Sequence, residues 1–457
     1  MEKTIQKIIL LAIILAPCSS IFVFKTGYID LKILQIIWSV IFALILIQKA
    51  SVKCITVTSD TNNKVIFALY LLILVISCLF SIDMVISVKE LFQYIYLFLM
   101  MIVIYKNARN DDFLNKIINA IIISNVLLVS VSLISYISGK ALIPAFQMYP
   151  SGHIYVLDRI YNSQALVESQ NVINRISGIL GLGTLSIANL VLIQSLFVNY
   201  KIRSSKGRDK QLYLVLFLAN IIVLCLTYSR SALLIFIAVH FITLLSKDKK
   251  VNFLLIIIAI FSIPFILSLF PNLYERILEA FNPQEGSTKT HFVYWLIALQ
   301  EGYDYILTGI GLGNSALHHD AYPQLFSQFG LYKSNGVDIH NFLLQIWAEQ
   351  GIFGILINAI LLFSPIMHFI KVRYIRKSMQ RNTVFSFIIL AYIATLALNL
   401  TNNNFYIETF WALAALAYAC KDIYPDNYKI SNNNLMNGGT AVTKELKNKL
   451  ILEQPSL

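Results

Sequence analysis

Runs of about twenty apolar residues, each long enough to cross a bilayer as a helix, recur along the whole chain. Short polar segments separate them, and the runs themselves carry few charges. The pattern predicts spans near residues 8–24, 31–47, 65–82, 85–105, 114–138, 176–198, 211–228, 231–246, 251–270, 340–370, 384–400 and 409–420. We therefore expect an all-α integral membrane protein of about 12 transmembrane helices, with both termini on one side of the membrane.

Composition and charge agree with a membrane protein. Only 13% of the 457 residues are charged and mean hydropathy is +0.70, whereas soluble domains carry roughly 25% charged residues. The net charge of +12 does not indicate nucleic-acid binding, because the basic residues fall in short loops on one side of the spans. The short outer loops carry few basic residues, whereas the inner loops include Lys49, Lys53, Lys64, Lys201, Arg203, Lys206, Arg208, Lys210, Lys247, Lys249, Lys250, Lys371, Arg373, Arg376, Lys377 and Arg381. The asymmetry places these loops and both termini in the cytoplasm.

Two long segments, residues 139–175 and 271–339, are expected on the opposite face within a membrane domain that covers 1–420. Long loops in compact proteins are usually functional or disordered. The second contains a helical pattern over 288–305, which predicts a helix in the membrane interface with Phe292, Trp295, Leu296 and Leu299 on its apolar side. The polar tail, 421–457, is expected to be cytoplasmic and mobile.

The first apolar stretch resembles a signal peptide, but no small-residue cleavage site follows it, so we expect an uncleaved first helix. The five cysteines are Cys18, Cys54, Cys78, Cys225 and Cys420. They lie outside the predicted outer loops and form no CxxC pair, which argues against disulfides and cysteine-ligated zinc.

The tenth span opens with a distinctive stripe that follows the longest polar segment. On a regular helix His340, Trp347, Gly351, Gly354 and Asn358 would share one face. Its glycines would allow a neighbouring helix to approach closely, as small residues do in membranes. An alternative of equal weight is that His340 and Asn341 only cap a helix above a packing groove.

Three ionisable residues are expected at the outer ends of spans: Arg175, Arg230 and His340. Charges at such depths are candidates for function, although an arginine alone is more often an interfacial anchor. Arginines bind phosphate through paired hydrogen bonds, and Ser229 could cap the helix beside Arg230. A helix N-terminus keeps an imidazole neutral, and a neutral His340 could accept a proton from a hydroxyl. Together these groups suit transfer of a group from a phosphate leaving group to an alcohol.

Other polar motifs carry weaker signals. His318-His319-Asp320 is a possible metal cluster, but adjacent histidines rarely ligate one ion, and the outer segments contain no Asp-x-Asp. Gly309-Ile310-Gly311-Leu312-Gly313 resembles a phosphate loop without the preceding strand or the following Lys-Ser/Thr. Glu90 and Glu408 are alternative bases or partners for the arginines. No metal and no cofactor are expected.

The chain resembles the bacterial O-antigen ligase and O-antigen polymerase superfamily over residues 175–370. The motif is His340-Asn341, nine residues, then Gly351-x-x-Gly354, supported by Ser229-Arg230-Ser231 and by Trp295 followed by the glycine-rich turn. The resemblance implies a metal-independent inverting glycosyltransferase of the bacterial inner membrane whose active site faces the periplasm. Its donor would be a glycan on undecaprenyl pyrophosphate. Its acceptor would be lipid A-core for a ligase or another repeat unit for a polymerase.

By this resemblance Arg175 and Arg230 would bind the pyrophosphate and His340 would activate the acceptor hydroxyl. Family members often carry an arginine shortly before the large-loop tryptophan, whereas this chain has Lys289 and His291 there. Lys289, His291 or Arg276 are the candidates to replace it. The competing class is a lipid-linked oligosaccharide flippase or other transporter, in which Asn125, Asn189 and Asn220 would line a polar path.

Overall fold

The computed structural model describes residues 1–25, 30–51, 61–138, 140–148, 154–159, 182–244, 286–331, 339–375, 384–402 and 407–423. Its helices in chain order are α1 Glu2–Ile14, α2 Ile33–Ser51, α3 Thr61–Leu79, α4 Met84–Ala108, α5 Asp111–Ser138, α6 Thr184–Ser204, α7 Gly207–Leu226, α8 Arg230–Leu244, α9 Gly286–Asp304, α10 Ser315–His318, α11 Pro323–Gln328, α12 Phe342–Ile375, α13 Val384–Asn399 and α14 Glu408–Ile423. Short 3₁₀ turns occupy Ala16–Cys18 and His319–Ala321.

The helical membrane class is confirmed. Within the described ranges five helices, α4, α5, α6, α7 and α12, are long and apolar enough to cross a membrane. Shorter apolar helices occupy Ile33–Gln48, Asn63–Leu79, Arg230–Thr243 and Val384–Asn399. The predicted ninth span and the tail beyond residue 423 lie outside the described residues.

Two predicted boundaries were wrong. The first helix ends at Ile14 instead of near residue 24, because Pro17 lies in a 3₁₀ turn that closes the helix. At 13 residues, or about 20 Å, α1 is shorter than the membrane core. The sixth helix begins at Thr184, eight positions after the predicted start at 176, with Gly183 at its N-cap.

Two short β-hairpins lie between helices of this all-α membrane fold. Strands β1 (Phe22–Lys25) and β2 (Asp30–Lys32) form one antiparallel hairpin, and β3 (Lys140–Met148) and β4 (Ile154–Arg159) form another. β3 and β4 fall in the first predicted outer segment. Both hairpins are connections between helices, so they leave the helical bundle intact.

Buried amides join the middle of the bundle. Asn125 of α5 and Asn220 of α7 donate to each other's side-chain carbonyls at 2.7 and 2.8 Å. Asn125 also donates to Gln194 of α6 at 3.1 Å, and Gln194 donates to Ser124 at 3.0 Å. These bonds tie three helices together, as polar side chains do inside membranes.

A second polar chain fixes α8, the helix that carries Arg230, against α6. Arg203 donates to the Asn199 carbonyl at 3.0 Å, and this contact orients the amide because an arginine only donates. The Asn199 nitrogen therefore donates to Nδ1 of His240, so Nε2 of His240 carries the proton and donates to Ser195, each at 3.0 Å. Sequence reasoning had missed His240, which is a lone histidine in an apolar run.

The longest helix, α12, is broken at Gly351, where φ is 62° and ψ is −160°. The segment after α9 fills the break. Ile310 and Gly311 donate their amides to the carbonyls of Ala348 and Glu349 at 2.9 and 3.1 Å, and Ile352 donates to Ile306 at 2.8 Å. Residues 352–375 beyond the break would extend about 36 Å, enough to span the membrane core.

The same segment is anchored to the start of α4. Ile82 donates its amide to the Ile310 carbonyl at 3.0 Å, and Ser87 donates to the Leu312 carbonyl at 2.9 Å. Asn314 accepts from the Asp83 amide at 3.0 Å. The joint therefore links α4, the glycine-rich segment and α12 at one level of the bundle.

Candidate functional site

His340 lies immediately before α12 in a conformation that side chains rarely adopt. Its φ is 52°, in the left-handed region. The next residue, Asn341, caps the helix by accepting from the amides of Leu343 and Leu344 at 3.1 and 3.2 Å. The capping function thus belongs to Asn341, and the half-buried ring of His340 stands outside the helix.

The structure brings His291 of α9 directly against His340. The two ring centroids are 4.9 Å apart with an interplanar angle of 64°, an edge-to-face arrangement. Both side chains are half-buried. Two of the residues that the sequence marked independently, 49 positions apart, therefore form one contact.

α9 is held beside the first turns of α12 by very close packing. A Cβ atom at Gly302 would overlap the Trp347 indole, whose N–H donates to the Leu299 carbonyl at 3.2 Å. Ala298 and Ala348 are both fully buried in the same apolar cluster. This packing fixes the position of His291 relative to His340.

The helix predicted over residues 288–305 is present as α9, Gly286–Asp304, but its buried side was predicted wrongly in part. Phe292 and Leu299 are 48% and 49% exposed, while Trp295 and Leu296 are half-buried. Glu301, a charged residue outside the predicted apolar side, is completely buried. The helix buries the adjacent face because that face packs on α11 and α12.

The predicted continuous stripe on α12 was also wrong. Gly351 does not receive a neighbouring helix; its missing Cβ makes room for the carbonyl of Leu307. Gly354 lies against the Gln350 side chain, and Asn358 donates to Gln350 at 3.0 Å. Because the helix is interrupted at Gly351, His340 and Asn358 do not share one regular face.

Arg230 is the first residue of α8 and is half-buried. Tyr228, two positions earlier, has a φ of 51°. Tyr228 and His340 are the non-glycine residues with positive φ in the described part of the chain. Ser229 does not cap α8 as expected: its buried hydroxyl makes no hydrogen bond with a described residue, and its amide donates to Thr227 at 3.3 Å.

The remaining candidates for donor binding, and the supporting residue Trp295, lie in different surroundings. The Lys289 ammonium extends towards Gly330, 3.9 Å from where a Cβ would stand. The indole N–H of Trp295 is buried and has no acceptor among the described residues. Arg175 and Arg276 lie outside the described residues, so their approach to the site stays a prediction.

A buried polar cluster lies at the far end of α9. Ser315 donates to Glu301 at 2.6 Å, and Nδ1 of His318 lies 3.4 Å from the other Glu301 oxygen. Nε2 of His319 lies 3.3 Å from Ser315. Burial raises the pKa of the Glu301 carboxyl and lowers the pKa of His319 to about 4. In the sequence, the only indication of this cluster is the occurrence of acidic residues and histidines between residues 301 and 320.

The possible metal cluster takes another form. His318 faces Glu301, His319 packs against Tyr294 with centroids 4.8 Å apart, and Asp320 is exposed. Across the described ranges, no group of three or more His, Cys, Asp or Glu side chains is arranged to hold a metal ion.

The glycine-rich turn is a structural joint. Gly309, Gly311 and Gly313 have φ values of 71°, 99° and 70°. A Cβ atom at these positions would meet Glu349, Ser81 and Glu90, respectively. Glu90, one of the alternative bases, therefore lies beside the glycine-rich turn. The other, Glu408, is the first residue of α14 and has Lys32 as a charged neighbour.

The fold and site define a multi-pass helical membrane protein with a histidine pair between α9 and the start of α12. Residues 214–359 match the family model described as O-antigen ligase, which supports placing the chain in the O-antigen ligase and polymerase superfamily. The match runs from α7 into α12 and includes Arg230, His291 and His340, but not position 175. No curated protein matches the chain significantly.

Proposed function

We propose that the protein is a membrane glycosyltransferase of the O-antigen ligase or polymerase type. It moves a glycan from undecaprenyl pyrophosphate to a hydroxyl at the periplasmic face of the bacterial inner membrane. The acceptor is lipid A-core for a ligase or another repeat unit for a polymerase. The observation that carries this proposal is the position of His340, placed beside His291 inside the segment that matches the O-antigen ligase family.

The proposed reaction is a single displacement. Neutral His340 accepts the proton of the acceptor hydroxyl as its oxygen attacks the anomeric carbon. The bond from that carbon to the pyrophosphate oxygen breaks on the opposite face, so the configuration inverts. Arg230 and Arg175, with Lys289 or His291 of α9, stabilise the departing undecaprenyl pyrophosphate.

Backbone strain supports this assignment. Residues held at positive φ without glycine tend to occur at functional sites. Among the residues that the structure describes, these are His340 and Tyr228, which directly precedes Ser229-Arg230. The strained positions therefore coincide with the proposed base and lie next to a proposed phosphate ligand.

The transporter alternative receives less support. Asn125 and Asn220 use their amides on each other and on Gln194. Groups paired in this way hold helices together and are not available to line a path. Asn189 is buried, and its carbonyl oxygen has no partner among the described residues.

Replacing His340 with Ala tests the proposal. Transfer should fall by about 10²–10⁴-fold, mainly in kcat, while protein level and donor binding stay near normal. Transfer is measured in membranes and normalised to protein amount, with Arg230→Lys as the comparison. That variant should instead weaken donor binding, because lysine lacks the bidentate fork. Full transfer by His340→Ala would place the base elsewhere, with Glu408 or His291 next.

The lipopolysaccharide pattern of a deletion strain separates the two enzyme types. Loss of all O-chains with accumulation of lipid-linked polymer indicates a ligase, whereas core with one repeat unit indicates a polymerase. We also expect transfer to persist in EDTA, because arginines can neutralise the pyrophosphate. Loss of transfer in EDTA with rescue by magnesium or manganese would contradict the proposed chemistry.

A further inference from the structure

We infer that His291 is a positioning residue for His340, and that its ring holds the base in its reactive orientation instead of binding the donor pyrophosphate. This inference rests on the proposed function of His340. It separates two residues of α9 that the sequence left as alternatives: His291 orients the base, and Lys289 supplies the cation.

The ring contact is the first argument. The centroids of His291 and His340 are 4.9 Å apart at 64°, within the range of edge-to-face aromatic pairs. The edge of one imidazole thus meets the face of the other. A ring used in this way restricts the rotation of its partner about the side-chain bonds.

His340 lies outside the regular part of α12. It precedes the Asn341 cap, and its φ is 52°. The ring of His291 contacts one side of its half-buried imidazole.

The contact is the end of a continuous helix–helix interface, not an isolated approach. His291, Trp295, Ala298 and Gly302 follow one another at intervals of four, three and four residues, so they share one face of α9. At the other end of this face Gly302 lies under Trp347, and in the middle Ala298 clusters with Ala348 and Leu344. The two helices run in the same direction along this interface, which extends from the Gly302–Trp347 contact back to the His291–His340 contact.

The ring contact separates His291 from the phosphate candidates. Its imidazole lies 4.9 Å from that of His340 between centroids, so the ring is engaged with the proposed base. Lys289 lies two residues earlier on the same helix and carries a compact charge that is suited to phosphate.

Three substitutions at one position distinguish the roles. His291→Phe keeps an aromatic ring but can neither bind phosphate nor titrate. His291→Ala removes the ring, and His291→Arg supplies a phosphate ligand without the imidazole. Lys289→Ala is the matched control on the same helix. Each variant is purified, checked for thermal stability, and measured for kcat, the donor KM and donor binding.

For a positioning residue, His291→Phe should keep transfer within about threefold of the wild type. His291→Ala and His291→Arg should lose roughly 10–100-fold in kcat with little change in donor KM, since misplacement by about 1 Å can cost about 10²-fold. Lys289→Ala should weaken donor binding and raise the donor KM, both of which the His291 variants should leave near the wild-type values.

Other outcomes overturn the inference. Wild-type activity in His291→Arg together with lost donor binding in His291→Phe would identify a phosphate ligand. Loss of kcat in His291→Phe equal to that in His291→Ala would show that imidazole chemistry, not shape, is required. Wild-type kinetics in all three would remove any role for the contact. Failure of the proposed function is distinct, because it would appear as full transfer by His340→Ala.

Discussion

At the scale of single residues, the site depends on backbone conformations that cost free energy. His340 begins the family motif, and Gly351 is the motif glycine at the helix break. Both have positive φ, at 52° and 62°. Glycine adopts this region without a Cβ penalty, whereas a histidine does not. The strain at His340 is therefore held by its neighbours, chiefly the Asn341 cap and the His291 ring.

Replacing Gly351 with Ala should reduce folded protein. With φ 62° and ψ −160°, Gly351 lies in a region that is essentially restricted to glycine and costs other residues on the order of 1–3 kcal/mol, and the new Cβ would press on the Leu307 carbonyl. Gly183→Ala is the matched control, because nothing lies within 4 Å of a Cβ there. Detergent-extracted protein and its melting temperature are measured. Equal stability of the two variants would show that the break at Gly351 tolerates a side chain.

Glu301 predicts a pH dependence of stability. Burial raises the pKa of this carboxyl above its unfolded value of about 4.3, so its stabilising contribution is complete below that pH. The contribution is lost as pH rises through the folded pKa, because the charged form is then buried. Glu301→Gln should flatten this decline in melting temperature. Asp320→Asn, an exposed carboxylate of the same segment, is the control and should leave the wild-type profile unchanged.

At the scale of elements, the sequence predicted α12 as one long span but not its break. Apolar residues continue on both sides of Gly351, and a glycine within such a run usually predicts packing between helices. The break depends on Ile306, Ile310 and Gly311, which supply its hydrogen bonds from 40 residues or more away. Such a long-range contact leaves no periodic signal in the sequence.

The crossing of α9 and α12 can be tested with a pair of substitutions. Gly302→Ala should lower transfer, because the added Cβ would overlap the Trp347 indole and move α9 with His291. Adding Trp347→Leu should restore part of the activity by making space. Coupling between contacting residues typically reaches about 0.5–3 kcal/mol, so a double-mutant cycle should show strong non-additivity. Additive effects would mean that the two helices do not meet there.

At the scale of the whole molecule, hydrophobic periodicity predicted the bundle well. Helices α2–α5, α7, α8, α12, α13 and α14 begin within about four residues of the expected positions, an error typical of such predictions. His340, Arg230 and His291 were also marked by the sequence. Their neighbours Tyr228 and Gly302, and the buried Glu301 and His240, were not, because their roles depend on packing across the fold.

Cysteine labelling tests the proposed orientation. Cys18, Cys78, Cys225 and Cys420 are buried, so a protein with Cys54→Ser should react little with a membrane-impermeant thiol reagent. In that background the substitution Asp320→Cys, at an exposed position, should react with reagent added outside intact inner-membrane vesicles whose periplasmic face points outward. Exposed Asp209→Cys should react only after permeabilisation. The reverse pattern would invert the topology and move the histidine pair to the cytoplasm.

The break in α12 also explains why the motif has a fixed number of residues between its histidine, His340, and its first glycine, Gly351. His340 is pinned to His291, and the backbone around Gly351 is pinned to Ile306 and Leu307. Both contacts are made with α9 and the residues just after it. The length of α12 between His340 and Gly351 must therefore match the distance between these two contacts. One inserted alanine before Gly351 would rotate His340 by about 100° around the axis and lift it by about 1.5 Å. An insertion well after the break would leave both contacts in place. The number of residues between His340 and Gly351 is therefore constrained independently of which residues they are.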